Sequence, residues 1–535
     1  MGPAGGAGRR GRWPASGVAA LAVVLAAAVL SACGGSAPAR AVIVPSSAAT
    51  FPTQVSSWQW PTYGQNAQHT FSARTTLTPS TVTTLRKAWF FPTGDSVTAT
   101  PTVVGDTVYV GSWDDNFYAV DLETGKLRWK TTVKPQHGVV PYPGQKSRPT
   151  TSDGGLITSS AWYEPGSGTR PPLVIFGGGY TLYALDAATG AVVWEHDYPG
   201  MLPADPDTDG TRIFSSPVVA DGLVLFGVDV DGQKGSHGYV VGASLATGDP
   251  VWEFQTDVTG PGGALRNDGC GSVWSSGTVL PALGLVVFDT ADCDFTPDGT
   301  YDVAVLAFHI TTGALAWEYK PSLADLDCDF DFGATPNAGV NARGVATFLG
   351  VGGKDGTYYS LDPATGALRW STNVVFGGFS GGFIATTAYD GTGVYGATAI
   401  GDFGRFESYN GEKSYLCDPS DPRDKASQEP DDHAFDAATG KVLWQEDNVA
   451  SFAPTTVAGG MAFNGLALSA TAVQVRATST GRLLAQIKLP QANWSGIAVV
   501  GDALVLGLGS TYSPVAAGIE VLTPGGAPPA VPSSP

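Results

Sequence analysis

Acidic side chains crowd one stretch of this 535-residue sequence: DLDCDFDFGATPN, from Asp325 to Asn337, sets Asp325, Asp327, Asp329 and Asp331 at alternate positions. Carboxylates at that density can hold a hard cation through oxygen, can supply a general base, or can simply face solvent as an acidic rim. Upstream, CGSVWSSGTVLPALGLVVFDTADCDF, from Cys270 to Phe295, carries a further carboxylate, Asp292, a competent calcium ligand. The same stretch carries Trp274, whose plain reading is core packing. Downstream, VGGKDGTYYSLD offers Lys354 in a Lys-Asp-Gly turn. Its ammonium could stabilise negative charge developing on a reacting group, while hairpin geometry alone is the bland account of such a turn.

Other chemistry is missing or incomplete. DPDTDGT, from Asp205 to Thr211, copies the front of a calcium-binding loop, but the twelfth position is Ser216 instead of the bidentate Glu, which leaves an Asp-rich turn. GFSGG, from Gly378 to Gly382, satisfies the GxSxG pattern without the strand-to-helix setting of a nucleophile elbow. The six histidines are scattered with no HExxH, which argues against a zinc hydrolase, and no CxxCH or CxxC is present to attach a haem or form a redox pair.

The N-terminus reads as an export signal. Arg9, Arg10 and Arg12 precede thirteen apolar residues, Val18 to Leu30, and then Ser31, Ala32 and Cys33. That run reaches about 20 Å as a helix, short of the ~30 Å hydrocarbon core, so a cleaved leader is the better reading than a spanning helix. Residues 1–32 are thus expected to be a signal peptide and 33–57, small, polar and proline-bearing, a flexible tether. A folded body is expected over 58–523, with a disordered tail over 524–535. Removing the leader takes the net charge from −19 to −22. So acidic a body argues against nucleic acid or anionic lipid as a partner. Cys270, Cys293, Cys328 and Cys417 then remain, an even number in an oxidising compartment, and permit two disulfides in any of three pairings.

Between the ends the chain repeats itself. YAVDLETGKLRW ending at Trp129 recurs as YALDAATGAVVW ending at Trp194, YSLDPATGALRW ending at Trp370 and HAFDAATGKVLW ending at Trp444. Weaker copies end at Trp252, Trp317 and Ala485. Each alternates apolar and polar residues, breaks at Thr-Gly and resumes, the pattern of a tight β-hairpin. Another strand pair precedes several copies, so the unit has four strands, a propeller blade. Spacings of 53 to 74 residues between successive tryptophans suit blades with variable loops better than a helical solenoid. An eighth unit is split: KAWFFP around Trp89 offers an outer strand, while VVGDALVLGLG and GIEVL near the C-terminus offer inner ones. Joining them predicts an all-β, eight-bladed ring with no free sheet edge.

These copies resemble the AxDxxTGxxxW tryptophan-docking repeat of the pyrroloquinoline-quinone (PQQ) propeller family, quinoprotein alcohol dehydrogenases, over most of the mature chain. The opening, WPTYGQNAQHT through the first blade, is similar to the polyvinyl-alcohol-dehydrogenase branch. The tetrapeptide LSAC resembles a lipoprotein lipobox, which implies acylation of Cys33 and anchoring to the extracytoplasmic face of the bacterial cell membrane through lipid alone.

Carried over residue by residue, the resemblance puts Trp274 beneath the planar quinone and Asp292 in the place of the calcium-binding Asn after a GTG turn. It puts Asp331 in the role of catalytic base and Lys354 at the ortho-quinone oxygens. It implies PQQ and calcium as cofactors, a small-molecule or polymeric alcohol as substrate and, with no haem site encoded, a separate electron acceptor. Two departures stand against it. Gln233 falls where the family places a calcium-binding Glu, unless Asp231 or Asp229 replaces it, and no adjacent-cysteine pair is present. The alternative expectation is a non-catalytic lipoprotein scaffold, similar to the propeller that assists outer-membrane protein assembly.

Overall fold

The computed structural model describes residues 58–136, 157–200, 211–230, 235–258, 269–292, 299–323, 328–378, 381–399, 430–447, 451–466, 471–510 and 517–530. The leader and tether with Cys33, and Gln233, Asp231, Asp325, Asp327, Cys293 and Cys417, lie outside the described residues. Among the described residues no helix is long and apolar enough to cross a membrane.

The expected eight blades are present. Blades 1 to 7 each take four consecutive strands, beginning with the inner strands at Thr102, Trp162, Val218, Thr278, Asn337, Ala388 and Thr456. Blade 8 is the split one: Ala498–Val500, Ala503–Leu508 and Gly518–Pro524 supply its inner three strands, and Leu85–Pro92 from the other end of the chain pairs antiparallel with Gly518–Pro524 as the outer strand. Second strands such as Leu223–Val228 are buried along their whole length and read as continuous apolar runs. Outer strands such as Leu127–Thr132 face solvent on one side and alternate.

The repeat's tryptophan joins every blade but the seventh, which has Ala485 there, to the next. Trp129 Nε1 donates to the Ala187 carbonyl at 3.1 Å, Trp252 to Ile310 at 2.8 Å and Trp444 to Thr478 at 2.7 Å, in each case the hairpin of the following blade. Trp89 makes the same bond from blade 8 to Leu122 of blade 1 at 2.8 Å, which closes the ring. Each ring lies flat against the Thr-Gly glycine of that hairpin. Gly190 on Trp129 and Gly248 on Trp194 have φ of +74° and +79°, so the position needs glycine both for its left-handed backbone and because any Cβ would enter the indole. Trp194→Ala is expected to cost about 3–5 kcal/mol, as large-to-small changes of buried aromatics do. Urea denaturation measures it, and an undiminished midpoint would show that this seam holds without its tryptophan.

Two further devices surround the central channel. The first is a belt of hydroxyls two residues before the inner strands of blades 1 to 6. The amide of Thr100 donates to Ser160 Oγ, Ser160 to Ser216, Ser216 to Ser276, Ser276 to Thr335 and Thr335 to Thr386, all at 2.8–3.1 Å, and the Gly496 amide returns to Thr100 Oγ1 at 2.9 Å. Blade 7 has Pro454 at this place, which can neither donate nor accept through a side chain, and the belt breaks there. The second is a strap, Trp60 to Thr76. Carbonyls of Trp60, Pro61, Ala67, Gln68, Thr70 and Phe71 accept from the inner strands of blades 1, 2, 4, 5, 6 and 7, and the Thr76 amide donates to Gly501 of blade 8. A segment that visits blades so far apart in the chain can only run round the channel wall. It buries Trp60, His69 and Phe71 completely.

Candidate functional site

Blades 4 and 5 present the same two places to one end of the channel: the residues just before the inner strand and those just after the second. In blade 4 these are Trp274, before Thr278–Leu280, and Asp292, after Leu285–Asp289. In blade 5 they are Asp329 and Asp331, before Asn337–Val340, and Lys354, after Ala346–Gly352. Because each blade's second strand returns antiparallel beside its inner strand, both places fall at the same end, and neighbouring blades bring all five side chains together.

Lys354 is the centre of the cluster. Its ammonium donates to Asp329 Oδ1 at 2.8 Å, stands 2.9 Å from Asp331 Oδ1, and lies 5.7 Å from the Trp274 ring centroid in cation–π contact. The Asp331 contact is a close ion pair made to a buried carboxyl oxygen. Lys354 is 6% exposed and Asp331 4%, whereas Trp274, Asp292 and Asp329 retain accessible surface. One oxygen of each of Asp292, Asp329 and Asp331 falls within 4.8 Å of the others.

Backbone contacts fix these groups. The Lys354 amide donates to the Asp331 carbonyl at 2.8 Å, and the Asp331 amide to the Asp329 carbonyl at 3.1 Å. Asp329 takes a left-handed φ of +55°, which Asp tolerates better than most residues. Phe330, between the two acids, packs edge-on against Phe376 at 5.6 Å. The Lys354 carbonyl sits against Gly377 and Gly382, where a Cβ would overlap it, and accepts from the Gly378 amide. The GFSGG run thus has a structural role here: Gly378 and Gly382 hold the lysine's main chain. The edge of Trp274 rests on Gly333, where a Cβ would collide with the indole.

Electrostatics divide the acids. Burial pushes the Asp331 carboxyl well above the usual carboxylate range, Lys354 opposes this, and Asp329 and Asp292 add to it by like-charge repulsion. For Lys354 burial alone would lower the pKa, but Asp329 and Asp331 together outweigh it and hold the ammonium charged. Three carboxylates facing one ammonium are an all-oxygen donor set with an excess of two negative charges when all are ionised, the balance a divalent hard cation offsets. The half-buried face of Trp274 beside a fixed ammonium is a surface on which a flat anionic ring could lie. The residues present therefore fit both a planar quinone and calcium.

The expected calcium position at Gln233 lies outside the described residues, as does Asp231. Asp229 is buried in blade 3, its main chain bridged to that of Arg212 at 2.9 Å in both directions. Cys270 and Cys328 are buried and disulfide-bonded. Asp329 was legible only as one of several neighbouring acids; its place, two residues before Asp331, is the signal that pairs it with Lys354.

A family model described as "Glucose/ethanol/alcohol dehydrogenase, beta-propeller domain" matches residues 60–374, more than half of the chain. The chain belongs to this PQQ β-propeller family. A second model, for the outer membrane protein assembly factor BamB, matches residues 301–503. Among curated relatives of this family, the polyvinylalcohol dehydrogenase of Sphingopyxis sp. (strain 113P3) is 25% identical over 76% of this chain and 69% of its own length. The quinoprotein glucose dehydrogenase of Escherichia coli (strain K12) is 27% identical over 59% of this chain but only 43% of its own. The fold matches that of the quinohemoprotein alcohol dehydrogenase from Comamonas testosteroni at a TM-score of 0.67 and 16% identity, covering 88% of this chain and 81% of that one.

Proposed function

We propose that this chain is a quinoprotein oxidoreductase of the bacterial cell envelope. Acyl chains on Cys33 hold it at the extracytoplasmic face, and it oxidises a small or polymeric alcohol with PQQ and calcium and passes the electrons to a separate acceptor. The observation that carries the reading is Lys354, buried, charged, paired with Asp329 and Asp331 and set over Trp274. When bound, the quinone supplies the electrophilic carbon that accepts hydride, and calcium makes it more electrophilic.

The chain's own residues supply the rest. Trp274 gives the flat apolar surface that orients a planar ring, and Lys354 a fixed positive charge for oxygens that gain electron density. Asp292 and Asp329 face the cluster with ligand oxygens for the cation. The Asp331 carboxylate, held in place by Lys354, takes the hydroxyl proton of a bound alcohol. Neutralising the neighbouring acids with a cation also lowers the Asp331 pKa, so the base is ionised when the site is filled.

A second reading has its own support. The match of residues 301–503 to an assembly-factor model, together with a neutral amide at Gln233 where a carboxylate is expected, fits a propeller that uses its loops for protein contacts. Mixing the purified soluble domain with PQQ and calcium separates the two. The enzyme reading expects uptake of the quinone, seen by its absorption, and reduction of a dye by an alcohol panel, with uptake lost in Trp274→Ala. A parent protein that takes up no quinone would sink it and leave the scaffold.

A further inference from the structure

One position recurs in the seams between blades. It is the second-strand residue two beyond the partner of the first inner-strand residue: register pairs such as Thr102↔Tyr109, Trp162↔Ile175 and Thr278↔Val287 define it. Six blades place glycine there, Gly111, Gly177, Gly227, Gly352, Gly465 and Gly507, and blade 6 places Ala397. In all six a Cβ would overlap the following blade, at Ile157, Ile213, Val273, Phe383, Asn493 and Val97 respectively. Those six residues share one place, five before the inner strand. At each of these seams the glycine backbone lies directly against the following blade, and a Cβ has no room.

Blade 4 breaks the rule with Asp289. The same offset in blade 5 gives Phe332, the residue directly after Asp331. Asp289 is wholly buried, and neither of its carboxyl oxygens has a hydrogen-bond partner. The Ser275 hydroxyl beside it bonds its main chain at 3.3–3.4 Å and, for the carboxyl, offsets the effect of burial only in part. The same seam also admits the edge of Trp274 over Gly333. The one seam wedged by a carboxyl is therefore the one flanked by Trp274 and Asp331.

We propose that Asp289 is a positioning residue of the candidate site, a wedge that holds the seam between blades 4 and 5 open and so sets where Asp331 stands relative to Trp274 and Lys354. The inference rests on reading that cluster as a ligand site, and it does not depend on which ligand is bound. A side chain of this size, where the other seams admit only glycine or alanine, sets how far Phe332 stands from blade 4. An unpaired buried carboxyl is costly, and its retention at this seam alone is accounted for by what it positions. Burial pushes its pKa up to about 8, so near neutral pH it is a protonated acid that fills space without charge.

Asp289→Gly restores the pattern of the other seams, and Asp289→Asn keeps shape and neutrality. Two readouts apply. The first needs no cofactor: emission and acrylamide quenching of Trp274, isolated by difference against Trp274→Phe in each background. It should change in Asp289→Gly and match the parent in Asp289→Asn. The second is quinone affinity with calcium present, expected to fall about ten-fold or more in the glycine variant, equivalent to ~1.4 kcal/mol or more, and to be rescued by asparagine. Unchanged Trp274 emission in Asp289→Gly overturns the wedge, as does an asparagine variant that behaves like the glycine one. If Asp289→Gly does not fold, Asp289→Ala takes its place with the same expectations. A parent that binds no quinone counts against the proposed function only, and the fluorescence still decides the wedge.

Discussion

Asp331→Asn should leave quinone uptake intact and reduce alcohol-dependent dye reduction by about 10²–10⁴-fold, the range lost when a general base is removed. The substitution keeps the shape of the side chain. Lys354 retains its 2.8 Å bond to Asp329, and the main-chain bond from the Lys354 amide to the residue 331 carbonyl does not depend on the side chain. What disappears is the basic carboxylate oxygen beside the ammonium. Steady-state rates with a saturating dye, beside a quinone titration by absorbance, measure the split. Equal turnover in the variant would discard Asp331 as the base, and equal loss of uptake would make it a binding group instead.

The pH profile gives a second check on the same residue. A base whose pKa is raised by burial must lose its proton before it can work, so the parent's rate should fall as the pH drops through that pKa. Calcium should move this acid limb to lower pH, because a cation beside Asp292 and Asp329 removes the like-charge repulsion that helps hold the proton on Asp331. The residual rate of Asp331→Asn should lack the limb.

How much of this was legible in the sequence follows from where the information sits. The ring could be read because its hairpins depend on side-chain identity: a Thr-Gly turn with left-handed glycine and a tryptophan that lies on the next blade's glycine. Trp274, Asp331 and Lys354 were found by resemblance of three separate loops, and the geometry unites them at one end of blades 4 and 5. The belt was equally repetitive, in SSAW, SSPV, SSGT and ATPTV, but variable loops separate it from the Thr-Gly copies, and small hydroxyl residues carry little pattern. The strap's sequence, WPTYGQNAQHT onward, carried a family resemblance but no sign of its path round the blades. The strap binds mostly through its own carbonyls, which every residue possesses, with a few side chains such as Gln68 and Thr75 added, so no repeating side-chain pattern records it. Asp289 was invisible for a related reason: it is an exception to a glycine rule, and the rule exists only once strand register aligns the eight seams.

The same exception should leave its own mark on the pH dependence of stability. Asp289 holds its proton up to about pH 8 in the folded chain but releases it near its ordinary 3.8 when exposed by unfolding. Between those values the native state binds the extra proton, so stability falls as pH rises through the window, by up to about 1.4 kcal/mol per pH unit, and levels off above it. Tyr63 of the strap faces the same region, but burial pushes its phenol up to about 12, outside this range. Asp331 adds a slope of the same sign, so the informative quantity is the difference between parent and Asp289→Asn, in which the Asp331 contribution cancels. Urea denaturation from pH 5 to 9 should show the variant gaining on the parent steadily toward about pH 8, by several kcal/mol in all. Parallel curves would mean that the carboxyl of Asp289 is ionised and partnered in the folded protein, and the wedge would then carry charge within the seam between blades 4 and 5.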